Sequence, residues 1–165
     1  MPIFVIEHLE PKLWKWCLIE YKNISRIVGK RNVWFTNIGN GNKKLKKYGR
    51  IVINSVSKLN LKKACILDPS AKKTLNSGDR KKYDYFIFGG LLGDSPAKNR
   101  TRKEITVKLG SDARNLGTKQ MSTDNAVYAA KKILSGVKLS DIDFKDGIEV
   151  KTGKYDSVIM PYRYV

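Results

Sequence analysis

The segment 83–101, YDYFIFGGLLGDSPAKNRT, runs from a short apolar stretch into a loop that is rich in glycine. The apolar stretch 85–88 predicts a buried strand, and Gly89–Gly90 and Gly93 follow it directly. Glycine has no Cβ, so the backbone of such a loop can approach a ligand closely. The segment therefore predicts a strand that ends in a binding loop, with an acid, Asp94, at the end of that loop.

A second glycine loop, in the segment RNLGTKQMSTDNAV (114–127), has the same design. An apolar residue, Leu116, precedes Gly117, polar residues follow, and Ser122 or Thr123 is suited to cap a helix. Two such loops could clasp a flat heterocycle between their backbone amides. The alternative is that both loops are ordinary strand-to-helix turns, and the spacing alone leaves both interpretations open.

The spacing of the apolar runs indicates the fold class. Short apolar runs separated by helical patterns predict a single α/β domain over 1–165, with a mainly parallel sheet and helices on both faces. The runs are 3–6, 33–36, 64–67 and 85–88. In such a sheet ligands bind at the carboxyl ends of the strands, which places the site at 89–94 and 116–124. The last segment, GIEVKTGKYDSVIMPYRYV, predicts a hairpin.

Local signals also predict where two helices begin. Pro11 suits the first turn of a helix that ends at Gly29. Thr101 and Glu104 have the spacing of a capping box, which predicts a short helix that continues through Leu109.

The charge of the chain points to a polyanionic partner. Lys and Arg number 33 against 15 Asp and Glu, which gives a formal net charge of +18. Nucleic acid or a ribonucleoprotein is the partner class that such a surplus attracts. The alternative is a lysine-rich surface that serves only solubility. The basic residues form local clusters, at 43–47, 72–73 and 80–82, which favours binding.

Several classes of protein are excluded by what the chain lacks. It has a single histidine, His8, and no CxxC pair, so neither a zinc site nor a metal cofactor is expected. Cys17 and Cys65 lie in apolar runs and are expected to be reduced core residues. The glycine loop matches neither the dinucleotide fingerprint nor the P-loop. No apolar run is long enough for a signal peptide or a membrane span, which predicts a cytoplasmic protein.

Five motifs in order resemble one enzyme class. CILDP, DYFIFGGLLGD, NRT, RNLGTKQMSTDNAV and MPYRYV are together similar to the SPOUT (α/β-knot) methyltransferases. They most resemble its small single-domain family of predicted RNA methyltransferases and ribosomal-protein arginine methyltransferases. The resemblance implies a C-terminal deep trefoil knot, S-adenosylmethionine as cofactor, and a monomer or weak homodimer.

The resemblance also implies a set of site residues. Cofactor contacts are expected from the loops after the strands, at Phe88, Gly89, Gly90, Leu92, Gly93, Leu109, Leu116, Gly117, Gln120, Met121 and Asp124. A nitrogen that accepts a methyl group must lose a proton, so a carboxylate is expected nearby. Asp94 is the predicted base or substrate clamp, with Arg100 and Glu104 as further catalytic candidates.

Each of these roles has a structural alternative. Asp94 is suited to capping amides in its own turn, and Arg100 to being an exposed loop residue. Glu104 is suited to the capping box, and Asp124 is suited to the first turn of a helix. Substrate contacts are predicted for Arg102, Tyr162 and Arg163. For the last two, the alternative is an edge strand.

The predicted function is S-adenosylmethionine-dependent methylation of a component of the translation machinery. The acceptor is either RNA or a ribosomal-protein arginine: a pocket lined by Lys and Arg favours RNA, and one lined by Asp and Glu favours the cationic arginine. A different class, a non-catalytic RNA-binding module on a knotted scaffold, is the alternative; it predicts no cofactor binding and strongly salt-dependent RNA affinity.

Overall fold

The chain alternates strands and helices and then ends in a hairpin. A computed structural model describes residues 1–39, 43–93, 98–151, 153 and 156–165. The strands are β1 (Ile3–His8), β2 (Val33–Thr36), β3 (Arg50–Ile51), β4 (Ala64–Leu67), β5 (Tyr85–Gly90), β6 (Asp112–Arg114), β7 (Lys145–Lys151) and β8 (Ser157–Tyr164). The α-helices are α1 (Lys15–Val28), α2 (Asp79–Lys82), α3 (Val107–Leu109) and α4 (Thr123–Leu134). A π-helical turn, Arg102–Thr106, precedes α3, and 3₁₀ turns lie at Lys30–Asn32, Lys43–Leu45, Val56–Lys58 and Leu139–Asp141.

Six strands form a sheet in the order β3-β2-β1-β5-β4-β6, and every pair in it is parallel. This confirms the predicted mainly parallel α/β fold. Because the strands run in one direction, they all begin at one edge of the sheet and end at the opposite edge. We call these the amino edge and the carboxyl edge. Strands β7 and β8 pair antiparallel, so the predicted C-terminal hairpin is also confirmed.

The two faces of the sheet are covered by elements of different size. The long helices α1 and α4 pack on one face over the larger core, and α1 contributes Cys17, Tyr21, Ile24 and Val28 at helical spacing. On the other face a smaller core joins Val56 and Ile105, from short helical turns, to the central strands. The predicted helices therefore lie on both faces, but the second face has only short ones among the described residues. Cys17 and Cys65 are buried free thiols, as predicted.

One predicted helix start is wrong, and the other helix, which begins near Thr101 and continues through Leu109 as predicted, lacks its predicted cap. Helix α1 begins at Lys15, four residues after Pro11, because the backbone at Trp14 is still extended (φ −63°, ψ 159°). The capping box is not formed, since Thr101 has helical angles (φ −54°, ψ −45°) and its side chain caps nothing. Glu104 is bonded to an arginine instead, as described below.

The remaining expectations concern the topology and the environment of the chain. The trefoil knot stays a prediction that is consistent with this strand order. None of the helices in the described part of the chain has the length and apolar character that a membrane crossing needs. The same residues contain no group of three or more His, Cys, Asp or Glu side chains placed to hold a metal ion.

Candidate active site

A cavity of about 140 Å³ opens at the carboxyl edge, where β4, β5 and β6 end. Its wall is built from the loops that follow these three strands and from the first turns of α4. The lining residues are Leu67, Asp68, Pro69, Phe88, Gly89, Leu91, Leu92, Gly93, Lys98, Asn99, Arg100, Thr101, Leu116, Gly117, Thr118, Lys119, Gln120, Met121, Thr123 and Ala126. Both glycine loops singled out in the sequence therefore face the same cavity.

The loop after β5 needs its glycines because neighbouring groups come very close. A Cβ at Gly93 would lie 2.2 Å from Gln120 Nε2 and 2.8 Å from the Tyr162 ring. At Gly89 it would lie 3.0 Å from Thr101 Oγ1, on the cavity side. Thr123 Oγ1 also donates to the Gly89 carbonyl (3.3 Å), which ties the start of α4 to this loop. Bare backbone thus forms part of the cavity wall.

The loop after β6 is fixed by its own side chains and by the C-terminal strand. Gly117 has φ +91°, a conformation that side chains disfavour, and its amide donates to Asn115 Oδ1 (3.0 Å). The Arg163 amide donates to the carbonyl of Gln120 (2.9 Å). This contact holds β8 against the loop and limits how far the loop can open.

Two side chains of β8 reach the glycine loops. The Tyr162 hydroxyl donates to the Gly93 carbonyl at 2.6 Å. The Arg163 guanidinium pairs with Asp146 (2.7 and 3.0 Å), which also accepts from Lys119 at 2.5 Å. These two cations hold the pKa of Asp146 well below its usual range. The hairpin therefore lies across the two glycine loops and contacts both of them, and it is not an edge strand of the six-stranded sheet.

Arg100 lies at the rim of the cavity with its guanidinium group held on three sides. Nη1 donates to Glu10 Oε1 (2.8 Å), Nε to Glu104 Oε1 (2.9 Å) and Nη2 to the Leu9 carbonyl (3.0 Å). Glu10 Oε1 also accepts from the Leu92 amide (3.1 Å). This network joins the loop after β1, the glycine loop after β5 and the following helical turn.

Asp68 is a buried acid in the cavity wall that sequence reasoning did not assign to the site. Its side chain accepts from the Ser70 amide (2.8 Å) and hydroxyl (2.6 Å) and from Thr106 Oγ1 (2.7 Å). It therefore fixes the loop after β4 to the helical turn beyond the glycine loop. The signal was present in the motif CILDP, where an acid follows a buried strand directly.

Comparison with known proteins identifies the family. The model of the family described as protein arginine N-methyltransferase SFM1-like matches residues 3–165. The chain belongs to this family. A relative, the protein arginine N-methyltransferase SFM1 of Saccharomyces cerevisiae, is 34% identical over an alignment of 181 positions, which covers 98% of this chain and 85% of the yeast protein.

Solved structures agree with the family and extend the fold comparison. The crystal structure of yeast SFM1 complexed with S-adenosylmethionine has a TM-score of 0.89 and 32% identity and covers 99% of this chain and 81% of that chain. A complex of SFM1 with S-adenosylhomocysteine has the same TM-score. The dual-specific Trm10 of Thermococcus kodakaraensis, with a TM-score of 0.65 and 17% identity over 86% of this chain and 96% of that chain, shares the fold. These neighbours confirm the SPOUT resemblance.

The cavity of this family member fits the cofactor that the resemblance implies. Phe88, Leu116, Met121 and Ala126 supply apolar surface for a heterocycle, and the two loops supply backbone polar groups at its edges. The tight approach at Gly93 leaves no room for a side chain on the loop. A flat nucleoside between bare backbone segments is compatible with this lining.

The cavity brings together nine of the residues predicted for the site. They are Phe88, Gly89, Leu92, Gly93, Arg100, Leu116, Gly117, Gln120 and Met121. Tyr162 and Arg163 do not line the cavity but contact its loops. Asp94, the predicted base, lies outside the described residues. The individual roles of these residues stay predictions.

Gly90, Leu109 and Asp124 were predicted as cofactor contacts and do not line the cavity. Gly90 is buried against α1, where a Cβ would lie 2.3 Å from the Tyr21 hydroxyl. Leu109 packs in the smaller core and precedes β6, so it lies toward the amino edge. Asp124 accepts from Asn23 Nδ2 (2.8 Å) and from Ser122 Oγ (2.6 Å) and so joins α4 to α1.

Two predicted catalytic or substrate residues also lie outside the cavity lining. Glu104 pairs with Arg100 at the rim, and Arg102 is exposed on the π-helical turn. The only histidine of the sequence, His8, is buried, and its Nδ1 lies 2.8 Å from the Tyr21 hydroxyl. Burial lowers the pKa of His8, which is typical of a core histidine.

An acidic pair lies behind the cavity wall. Burial, reinforced by the nearby Asp124 carboxylate, raises the pKa of Glu20 to about 7. Hydrogen bonds from Thr123 oppose this shift in part. Glu20 is on α1 and Asp124 is on the first turn of α4, so the pair lies where the two helices meet.

Proposed function

We propose that this protein methylates an arginine side chain of a protein in the translation machinery. The chain is an S-adenosylmethionine-dependent methyltransferase of the SFM1-like family. Membership of an enzyme family argues against the alternative of a non-catalytic RNA-binding module. The arginine acceptor is supported by the name of the yeast relative, a protein arginine N-methyltransferase.

The observation that carries the arginine proposal is the charge balance at the cavity rim. Among the described residues, the lining contains one acid, Asp68, and the cations Lys98, Arg100 and Lys119. Arg100 is neutralised by Glu10 and Glu104, and Lys119 pairs with Asp146. The lining by itself has the excess of Lys and Arg that was expected for an RNA acceptor, but these acidic partners bring the rim close to neutral, which suits a protein acceptor better than a polyanion.

The rim also has the chemistry that recognises a guanidinium group. Carboxylates and a carbonyl oxygen at fixed positions already receive Arg100 Nη1, Nε and Nη2. Planar, charge-assisted hydrogen bonds of this kind are the usual way in which proteins hold arginine. Because Glu10 and Glu104 already neutralise Arg100, a substrate arginine that approaches this rim is not opposed by an unpaired Arg100 charge.

The chain's own residues have two tasks in such a reaction. Bound S-adenosylmethionine supplies an electrophilic methyl group on a sulfonium sulfur. The protein must orient the acceptor nitrogen toward that group and accept the proton that the nitrogen loses. A carboxylate performs both tasks, because it bonds the remaining N–H groups and favours the positive charge that develops. Asp94 remains the candidate for this role, and Arg100 is a positioning residue that fixes Glu10 and the glycine loop.

A labelling experiment tests the proposal. The protein is incubated with ribosomes and S-adenosylmethionine that carries a labelled methyl group, and the products are divided between protease and ribonuclease digestion. We expect the label to be released by protease, resist ribonuclease, and appear as methylarginine after acid hydrolysis. Label in nucleosides would replace the arginine proposal with an RNA acceptor. Label in neither fraction would exclude a ribosomal substrate.

Two further expectations stay proposals of the same kind. A monomer or weak homodimer is consistent with a site assembled within one chain, and sedimentation at several concentrations tests it. A cytoplasmic location fits a ribosomal substrate and is tested by fractionation.

A further inference from the structure

The amino edge of the sheet carries a set of exposed cations that the methyl-transfer site does not use. They precede the strands instead of following them, and the residues are Lys30, Arg31, Lys62, Lys63, Arg80 and Lys81. None of these six residues lines the cavity at the carboxyl edge. We call this set the basic edge.

The parallel topology brings these residues together from three separate segments. The turn that carries Lys30 and Arg31 leads into β2, the segment with Lys62 and Lys63 leads into β4, and α2 leads into β5. Strands β2, β1, β5 and β4 are adjacent in the sheet, so their starts span about 15 Å at the usual strand spacing.

Contacts across the edge show that the segments are neighbours. Asn32 Nδ2 lies 3.4 Å from Met1 Sδ, and the Ile3 amide donates to the Asp84 carbonyl at 2.9 Å. The Asp84 amide in turn donates to the Lys63 carbonyl at 2.9 Å. The segments that carry the cations are therefore neighbours along the amino edge from β2 to β4.

The acids near this edge are mostly engaged elsewhere. Asp79 is buried and bonded to Arg114 (3.1 Å), and Asp112 pairs with Lys82 (3.0 Å). Among the described residues of the turns before β2, β4 and β5, Asp84 remains as an exposed acid. The basic edge thus keeps a strong excess of positive charge.

Aromatic side chains adjoin the basic edge on the face with the smaller core. Trp34 and Tyr85 are half-buried, and their ring centroids lie 5.5 Å apart. The Arg50 guanidinium lies 4.3 Å from the centroid of the Trp34 ring. Arg50 and Tyr85 are the first residues of their strands, so these groups lie next to the cations. Half-exposed rings and stacked arginines are the groups on which unpaired bases stack.

We propose that the basic edge binds the backbone of single-stranded RNA, while the opposite edge of the sheet methylates its acceptor. Cations and aromatic groups side by side match phosphates and unpaired bases together. In this arrangement RNA anchors the enzyme and is not the methyl acceptor. It also accounts for a net charge of +18 in a protein whose catalytic rim is largely neutralised.

Fluorescence anisotropy with a labelled oligouridine of about 20 nucleotides tests this surface, without any methyl donor present. We expect affinity that falls steeply between about 50 and about 300 mM KCl. The triple variant Lys62→Glu, Arg80→Glu, Lys81→Glu should bind at least about tenfold more weakly, and its salt slope should be smaller by about two. Unchanged affinity in this variant would overturn the proposal.

A matched variant separates the surface from the total charge. Lys72→Glu, Lys73→Glu, Lys103→Glu makes the same change in net charge at exposed positions away from the basic edge, since Lys103 lies on the helical turn that Thr106 joins to Asp68 at the carboxyl edge. We expect its affinity to stay within about threefold of the parent protein. An equal loss in both variants would overturn the proposal, because it would mean that only the overall charge matters. Thermal melting verifies that both variants are folded.

Two more readouts test the ligand and the position of the surface. Arg50→Ala should weaken oligouridine binding by about threefold, because it removes the stacked guanidinium group without reversing any charge. Calorimetry should give the same S-adenosylmethionine affinity with and without saturating oligouridine. Mutual exclusion of the two ligands, or equal binding to phosphatidylserine vesicles, would overturn the assignment. None of these measurements needs methyl transfer, so they fail or succeed independently of the proposed function.

Discussion

The two edges of the parallel sheet differ in how their loops fold and in whether their charged side chains are paired. At the carboxyl edge, loops after the strands turn back onto the protein, and glycines, buried acids and paired cations close a cavity. At the amino edge, short turns before the strands leave their lysines and arginines in solvent. The difference shows that one sheet can keep a cavity with a largely neutralised rim apart from a strongly charged surface.

The largest effect is expected for Gly93→Val, which should affect only the carboxyl edge. Its Cβ would overlap Gln120 and the Tyr162 ring, so the loop must move. We expect S-adenosylmethionine affinity to fall by about 100-fold in calorimetry, because overpacking of this kind costs about 3 kcal/mol. Gly39→Val is the matched control, since nothing lies within 4 Å of its Cβ position. If Gly93→Val also weakened RNA binding, that result would contradict the conclusion that the two edges act independently.

Next in size is Arg100→Ala, which removes the rim cation that two glutamates bond. Glu10 and Glu104 would then lose their partner, and the Leu92 amide would be held less firmly. We expect kcat/KM for methyl transfer to fall by about 30-fold, equivalent to about 2 kcal/mol. Arg100→Lys should recover only part of this loss, because lysine lacks the planar fork.

The neighbouring arginine provides the control for that variant. Arg102 is exposed on the same helical turn, so Arg102→Ala should leave kcat/KM within about twofold of the parent. A large loss at Arg102 would support its predicted role as a substrate contact and would mean that the substrate site extends beyond the cavity lining.

Glu20→Gln probes the acidic pair behind the cavity through the pH dependence of stability. The raised pKa of about 7 means that the folded state holds a proton that the unfolded state releases near 4.5. The parent protein should therefore lose stability as the pH rises from about 4.5 to about 7. The variant lacks this loss and should be more stable by about 2 kcal/mol at pH 8, after allowance for partial exposure. Denaturant unfolding of the parent and the variant at about pH 4.5 and at pH 8 measures the difference in their free energies of unfolding. The same change with pH in both proteins would contradict the prediction.

The smallest effect is expected for Tyr162→Phe, which removes the hydroxyl that bonds the Gly93 carbonyl. A single hydrogen bond of 2.6 Å at a partly exposed position contributes about 1 kcal/mol. We expect S-adenosylmethionine affinity to fall by about fivefold, with the melting temperature nearly unchanged. No change in affinity would mean that the C-terminal hairpin does not hold the glycine loop after β5 in its binding conformation.

Local patterns predicted the elements of the carboxyl edge well. The strand 85–88 and its glycines, the helix after Ser122 and the C-terminal hairpin were all found where the residues indicate them. The signals succeed there because apolar runs, glycines and helix caps act over a few residues. The parallel topology then places both glycine loops at one cavity.

Contacts with partners far away in the sequence are not visible in local signals. Thr101 and Glu104 have the spacing of a capping box, yet Glu104 bonds Arg100, whose other carboxylate partner is Glu10, 90 residues away. Gly90 belongs to the same motif as Gly93, but its neighbour is the Tyr21 hydroxyl of α1 and not the cavity. Asp68 was overlooked because only the tertiary structure shows which strand ends meet.

By itself, the sequence determined an α/β chain with a mainly parallel sheet, two glycine loops at strand ends, and a large surplus of positive charge. Only the tertiary structure decided which acids face the cavity and that exposed cations gather at the opposite edge. The physical reason is the distance along the chain over which each kind of interaction acts. Strand and turn preferences are set by adjacent residues, whereas the partners of a charge are set by how segments far apart in the chain pack together.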